Sequence, residues 1–243
     1  PISDTANSNT GFGINYRNPL TTWFARLSDN YSHSKSSLIT SFKTLDDGST
    51  VLEYIDKDNS SSSNSISGSV SKLIDEIKTT FNYSTSYSLS ESDMYLNDLF
   101  YKNKSHTLSH TLKLNTDLTD WLSVEYNGTL RTQKSSSAIR DSRTVNSQSH
   151  GMGIYVFPAE NHMLSLNGEW MQTKLGSENR EDFFGDFTYR FTFSEKKIDV
   201  DFSVINIFDK DIYRDISISD YTTSESYFKL RPRQFLVTFR LPL

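Results

Sequence analysis

Five histidines are the residues in this chain most able to do chemistry, and their spacing limits what they do. His106 and His110 stand four apart, so on a strand they share a face. At roughly 3.3 Å per residue they are about 13 Å apart, too far to ligate one metal ion. His33, His150 and His162 have no partner at ligand spacing and read as polar interface residues. No serine lies in a nucleophile elbow, and no glycine-rich phosphate loop occurs. With no cysteine, the chain has no disulfide framework, thiolate metal site or cysteine nucleophile. Ser, Asp and His are abundant enough that a triad assembled in space stays open. The reading is nonetheless non-enzymatic, with no catalytic residue, metal ligand or cofactor assigned.

What would position these residues is an alternation of side chains. The 243 residues are 35% hydrophobic and 23% charged, with a net charge of -5, so clustered basic residues for a nucleic-acid groove are missing. No apolar run approaches the roughly 20 residues of a spanning helix. The mean hydropathy of -0.55 suits a soluble protein, but also a barrel that turns only alternate residues toward lipid.

From residue 64 onward a period of two recurs. Phe183, Phe187, Tyr189, Phe191 and Phe193 oppose Asp186, Thr188, Arg190 and Thr192; Ile198, Val200, Phe202 and Val204 oppose Asp199, Asp201 and Ser203. The same holds for Leu164, Leu166 and Trp170, for Leu122, Val124, Tyr126 and Leu130, for Leu108, Leu112 and Leu114, and for Phe81, Tyr83, Tyr87 and Leu89. A period of two is that of a strand and not of a helix. Before residue 64, "LTTWFARLS", "SLITSFKTL" and "STVLEYID" read as three further strands with ambiguous faces.

The connections alternate in length. "RNP", "DDG", "DE", "DLTD", "PAEN" and "SEKK" are short; "SDNYSHSK", "DKDNSSSSN", "ESDMYLNDLFYKNK", "QKSSSAIRDSRTV", "LGSENRE" and "DKDIYRDISISDYTTSES" are long and polar. That rhythm describes an all-β antiparallel up-and-down meander with its long loops at one end, as in transmembrane barrels of the bacterial outer membrane. It predicts 12 strands from Leu20 to Leu243, and a thirteenth in "GFGINYR". Charged residues on the inward-turned faces are then Lys78, Lys113, Glu125, Arg131, Glu169, Asp186, Arg190, Asp199, Asp201 and Arg240. They are lumen-facing candidates, either lining a passage or keeping a wall solvated through ion pairs. Trp170, Tyr126, Tyr189, Tyr213, Tyr221 and Tyr227 are candidates for interfacial aromatic belts.

The end of the chain, "NIFDKDIYRDISISDYTTSESYFKLRPRQFLVTFRLPL", resembles the C-terminus of TonB-dependent outer-membrane transporters, SusC-like and related receptors in particular. Asn206 and Phe208 fall in an N-[LIV]-F-[DN] element, and Arg231, Pro232, Arg233 and Phe235 in an "LRPRQF" element. "SGSVSKLIDEIKTTFNYSTSYS" and "WLSVEYNGTLR" resemble hairpins of the same barrels. The resemblance implies that residues 1–243 are one barrel region, the C-terminal 12–13 strands of a 22-stranded barrel, with plug domain and N-terminal strands absent. It further implies a place in the bacterial outer membrane and energy-coupled uptake of a large nutrient such as a glycan, peptide or metal chelate. The partners it implies are membrane lipid, the rest of the barrel with its plug, TonB, and a surface lipoprotein lid. Two other expectations stand beside it: a self-contained 12-stranded outer-membrane channel or enzyme, and a soluble secreted β-rich binding module.

Overall fold

A computed structural model describes residues 4–47, 49–195, 197–218 and 223–241. Thirteen strands account for nearly all of them: β1 (Thr5–Asn18), β2 (Trp23–Thr44), β3 (Thr50–Ile74), β4 (Thr79–Leu96), β5 (Leu99–Thr119), β6 (Leu122–Ser137), β7 (Arg140–Ala159), β8 (His162–Leu175), β9 (Glu178–Phe193), β10 (Ile198–Ile205), β11 (Ile212–Ile218), β12 (Thr223–Lys229) and β13 (Gln234–Arg240). A single 3-10 turn, Asp75–Ile77, joins β3 to β4. Eleven strands form one antiparallel meander in the order β1 to β10 and then β13, while β11 and β12 make a separate hairpin. The all-β, up-and-down architecture expected from the alternation is present. The sheet is open: β1 and β13 each leave one edge unpaired among the described residues.

The meander has eleven strands rather than twelve or thirteen, because two predicted loops are strand. "SDNYSHSK" lies inside β2, and "DKDNSSSSN" lies inside β3, where Tyr31 faces Asn64 and Ser36 faces Asn59. Four predicted strands and the two loops between them therefore merge into the two strands of one long hairpin. Its "DDG" turn moves to the same end as the β4–β5, β6–β7 and β8–β9 turns. At the bulge between Ser36 and Leu38, the Asn59 amide donates to the Ser36, Leu38 and Lys57 carbonyls at 3.0, 2.8 and 3.1 Å, which holds the kink. "GFGINYR" is strand, within β1.

Cross-strand register sorts the side chains onto two faces, since directly opposed residues share one. Phe81, Leu114, Tyr126 and Met152 lie side by side, as do Leu164, Tyr189, Phe202 and Val237. On the other face run Ser28, Ser67, Ser86 and Ser109, and, nearer the short-turn end, Glu125, Gly153, Asn167 and Asp186. The apolar positions fill a band next to the short turns. On β9 it runs from Phe183 to Phe193, ten steps, or about 33 Å along the strand and about 25 Å in height at a tilt of about 40°. Beyond the band β2 to β7 continue with mostly polar residues on both faces, and apolar residues return only near the β2–β3 and β4–β5 turns, at Ile39, Phe42, Tyr95, Phe100 and Tyr101 among others.

The sheet has almost no core. Among the described residues only Ile39, Tyr101 and Val200 are buried hydrophobic residues, whereas Leu27, Leu130, Leu166, Phe183, Phe202, Phe235 and Phe239 on the apolar face are all more than 36% exposed. The accessible surface of 16088 Å² compares with about 11,000 Å² for a compact protein of 27.9 kDa.

Candidate functional site: the polar face and its edge

Nine of the ten charged candidates share the polar face. Lys113, Glu125, Glu169 and Asp186 cross β5 to β9; Arg131 lies farther from the short turns; Arg190, Asp199, Asp201 and Arg240 gather at the β9–β10–β13 edge. Lys78 is the exception. It sits in the β3–β4 turn at φ 45°, bonded to Asp120 at 3.3 Å, because the 3-10 turn lifts it off the strand just before β4 begins.

The edge cluster is a built structure. Asp201 is 4% exposed and accepts two bonds from the Arg190 guanidinium, at 2.7 and 3.1 Å, and one from Arg240 at 3.0 Å. The Thr192 hydroxyl donates to Asp199 at 2.7 Å. A buried carboxylate is tolerated only with such charge-assisted partners, and here they cross-link three strands.

Between β5 and β9 the same face is hollowed out where Gly151 presents no side chain, while at Gly153 the Tyr155 ring and Asn167 take up the space. The hollow, about 460 Å³, is bordered by Glu125, Asn127, Asn167, Glu169 and Asp186. Farther from the short turns the wall is hydroxyl-lined. Ser32, Ser63, Ser90, Ser105 and Ser135 stand in one row, and the Ser28 and Ser67 hydroxyls are 2.7 Å apart. Ser32, Ser63 and Ser135 of this wall fall in segments expected from the sequence to be loops. The wall's only signal was serine recurring at every second place.

The C-terminal motif is a clamp. The Asn206 side-chain amide donates to the Lys210 carbonyl at 2.8 Å and to the Arg231 carbonyl at 2.9 Å, and its oxygen accepts the Lys210 N–H at 2.9 Å. Asp209 accepts the Arg233 N–H at 2.7 Å. Asn206 and Asp209 both have positive φ, 57° and 54°, a backbone form that asparagine and aspartate adopt more readily than most residues. The two legs of the excursion between β10 and β13 are thereby fastened at their base. Phe208 lies over Gly185 of β9, where a Cβ would come within 2.8 Å of the ring. Pro232 follows Arg231 at the base of the returning leg, and Phe235 falls on the apolar face opposite Val204.

From that clamp the β11–β12 hairpin contacts side chains on the polar face of β9. Lys210 bonds Asp182 at 2.6 Å, Arg180 bonds Glu225 at 3.3 Å, and the Tyr213 ring meets Phe184 edge-on at 6.0 Å. Arg214 also pairs with Glu225. The Arg214 hydrogen bond, then that of Tyr227, holds the Glu225 carboxyl below the usual carboxylate range. Burial, then the charges of Asp215, Asp182 and Glu169, pushes the Tyr213 hydroxyl up.

All five histidines lie on the apolar face; His106 and His110 share the parity of Leu108, and His162 that of Leu164, whereas His33 and His150 stand among polar neighbours that mark no face so plainly. Four are bonded through Nδ1 to a tyrosine hydroxyl: Tyr83–His110 at 2.8 Å, Tyr87–His106 at 2.9 Å, Tyr126–His150 at 2.7 Å and Tyr189–His162 at 2.6 Å. No group of three or more His, Asp or Glu residues fit to hold a metal ion occurs among the described residues. Of the belt candidates, Trp170, Tyr126 and Tyr189 are on the apolar face and Tyr213 and Tyr227 are in the separate hairpin. Tyr221 lies outside the described residues.

In comparison with known proteins, no protein-family model matches the chain, and no curated protein matches it.

Proposed function

We propose that this chain is the C-terminal barrel region of a TonB-dependent outer-membrane transporter, with its apolar face on lipid and its polar face lining an interior. The observation that carries the reading is the uncovered apolar face. A continuous band of exposed Phe, Leu, Val and Tyr spans the sheet with no second layer over it among the described residues, and water does not tolerate a patch of that size on a soluble monomer. Lipid covers such a face, provided that every backbone group is paired within the protein.

That proviso bears on the open edges. Eleven consecutive antiparallel strands leave β1 and β13 running the same way, so joining them directly requires a parallel seam. The same holds for two copies inserted in one orientation. An odd number of additional strands closes the sheet with antiparallel seams throughout, and the 22-stranded barrels that the C-terminal motif resembles would supply eleven. This favours a region of a larger barrel over a self-contained 12-stranded channel. Transport itself rests on the resemblance of Asn206–Asp209 and Leu230–Phe235 to the family motif.

Membrane fractionation of cells making the natural full-length protein tests the reading. Outer-membrane location with heat-modifiable mobility, and a plug-like domain encoded in frame upstream of Pro1, are expected. A water-soluble monomer, or an upstream region with no such domain, overturns it.

A further inference from the structure

The tyrosine–histidine pairs occupy repeated heights. Tyr83 and Tyr126 each stand four residues above the first residue of their strand, Thr79 and Leu122. Their partners His110 and His150 each stand nine residues above the last residue of theirs, Thr119 and Ala159. Two hairpins thus carry the same device at the same level. On β8 the ring of Trp170, eight residues above His162, stacks on His150 at 5.4 Å. His162 is at the opposite margin, beside the short turn, bonded to Tyr189 and against Phe191 at 4.9 Å.

Nine residues correspond to about 30 Å along a strand and to about 23 Å in height at a tilt of about 40°. The two levels are therefore about one hydrocarbon thickness of an outer-membrane barrel apart. Each tyrosine satisfies one ring nitrogen of its histidine. With the hydroxyl donating to Nδ1, Nε2–H is left as a donor on a face made mostly of Leu, Phe, Tyr, Trp and Val, with Thr85 opposite His110 and Gln148 two residues from His150. A donor without an acceptor is costly in hydrocarbon, whereas headgroup phosphate and ester oxygens accept it at the membrane surface. Gly128 shapes one pair: Tyr126 lies across the space a Cβ would fill, and so reaches His150 on the next strand.

Resting on the barrel reading, we infer that His110 and His150 on one margin, and His162 on the other, bind the phosphate groups of membrane lipids through Nε2, each aimed by its tyrosine. The site is a pair of lipid-headgroup contact rows, not part of the interior.

The test is solid-state NMR of the histidine-labelled protein in bilayers of phosphatidylethanolamine and phosphatidylglycerol, measuring through-space 15N–31P contacts. A spin label on Leu166 reports in parallel whether mid-band residues meet acyl chains. Expected are 31P contacts for Nε2 of His110, His150 and His162, with at least a halving of the His150 signal in Tyr126→Phe, while Leu166 is acyl-exposed. Contacts missing from all three, with Leu166 still acyl-exposed, overturn this inference and leave the barrel reading intact. Contacts unchanged in Tyr126→Phe overturn the aiming role of tyrosine. A water-exposed Leu166 overturns both.

Discussion

Arginine placed along β9 gives a graded prediction. Phe187 faces Leu166 on β8 and Val204 on β10, on the apolar face, six residues from Phe193. Six residues are about 15 Å of height, close to the middle of a band about 25 Å tall; Phe183 and Phe193 are at its two margins. Arg near the bilayer midplane costs about 2–4 kcal/mol, falling to about 0–1 kcal/mol at the interfaces. Phe187→Arg should therefore lose about 2–3 kcal/mol more than Phe183→Arg or Phe193→Arg, roughly 30- to 150-fold in the folding equilibrium. Thr188→Arg, on the polar face, gives up a hydroxyl contact with Ser203 at 3.0 Å, about 0.5–1.5 kcal/mol. Urea titrations of folding into lipid vesicles, read by heat-modifiable mobility, measure all four. A cost that is flat across Phe183, Phe187 and Phe193 would refute the reasoning, because a protein core penalises Arg without regard to depth along one axis.

Three further outcomes follow from named contacts. Asn206→Ala removes three hydrogen bonds and should cost about 1–3 kcal/mol, making residues 206–233 the first site cut in limited proteolysis; an unchanged cleavage pattern counts against the clamp. Asp201→Asn leaves Arg190 and Arg240 without their shared carboxylate and should loosen β13 first, with faster amide exchange at 234–240 than at 162–175. The Glu225 pKa is depressed, so its stabilising effect is present above the unfolded carboxylate value and is lost as pH falls through the folded one; docking of the β11–β12 hairpin should hold at neutral pH and weaken below about pH 4. Amide exchange of residues 212–218 at pH 7 and pH 3 reads this, and equal relative protection at both would rule it out.

The segment from 183 to 204 was legible from sequence because each face is chemically uniform there, so a period of two is visible residue by residue. Residues 28–36 and 56–64 were not legible. Ser, Asn, Asp and Lys fall on both faces, and with no apolar face to mark the period a strand has the composition of a loop. What makes them strand is the backbone ladder between them, which depends on partners some 30 residues away. Nine of ten charged candidates could be placed on one face because charge alternates with apolar residues; Lys78 could not, since the 3-10 turn before β4 is set by local backbone and not by the pattern. Asn206 was readable as a motif, but its bond to Arg231 joins segments 25 residues apart. The tyrosine–histidine pairs were unreadable for the same reason: each is a diagonal contact between two strands, and register decides it.

The most direct measurement of the central claim is quenching of tryptophan by lipids brominated along their acyl chains. In a background with the three native tryptophans replaced by Phe, Leu166→Trp on the apolar face and Ser165→Trp on the polar face differ by one residue in sequence. Strong quenching of the first and weak quenching of the second is the predicted result. Equal quenching, or none at Leu166→Trp in the folded protein, would contradict it.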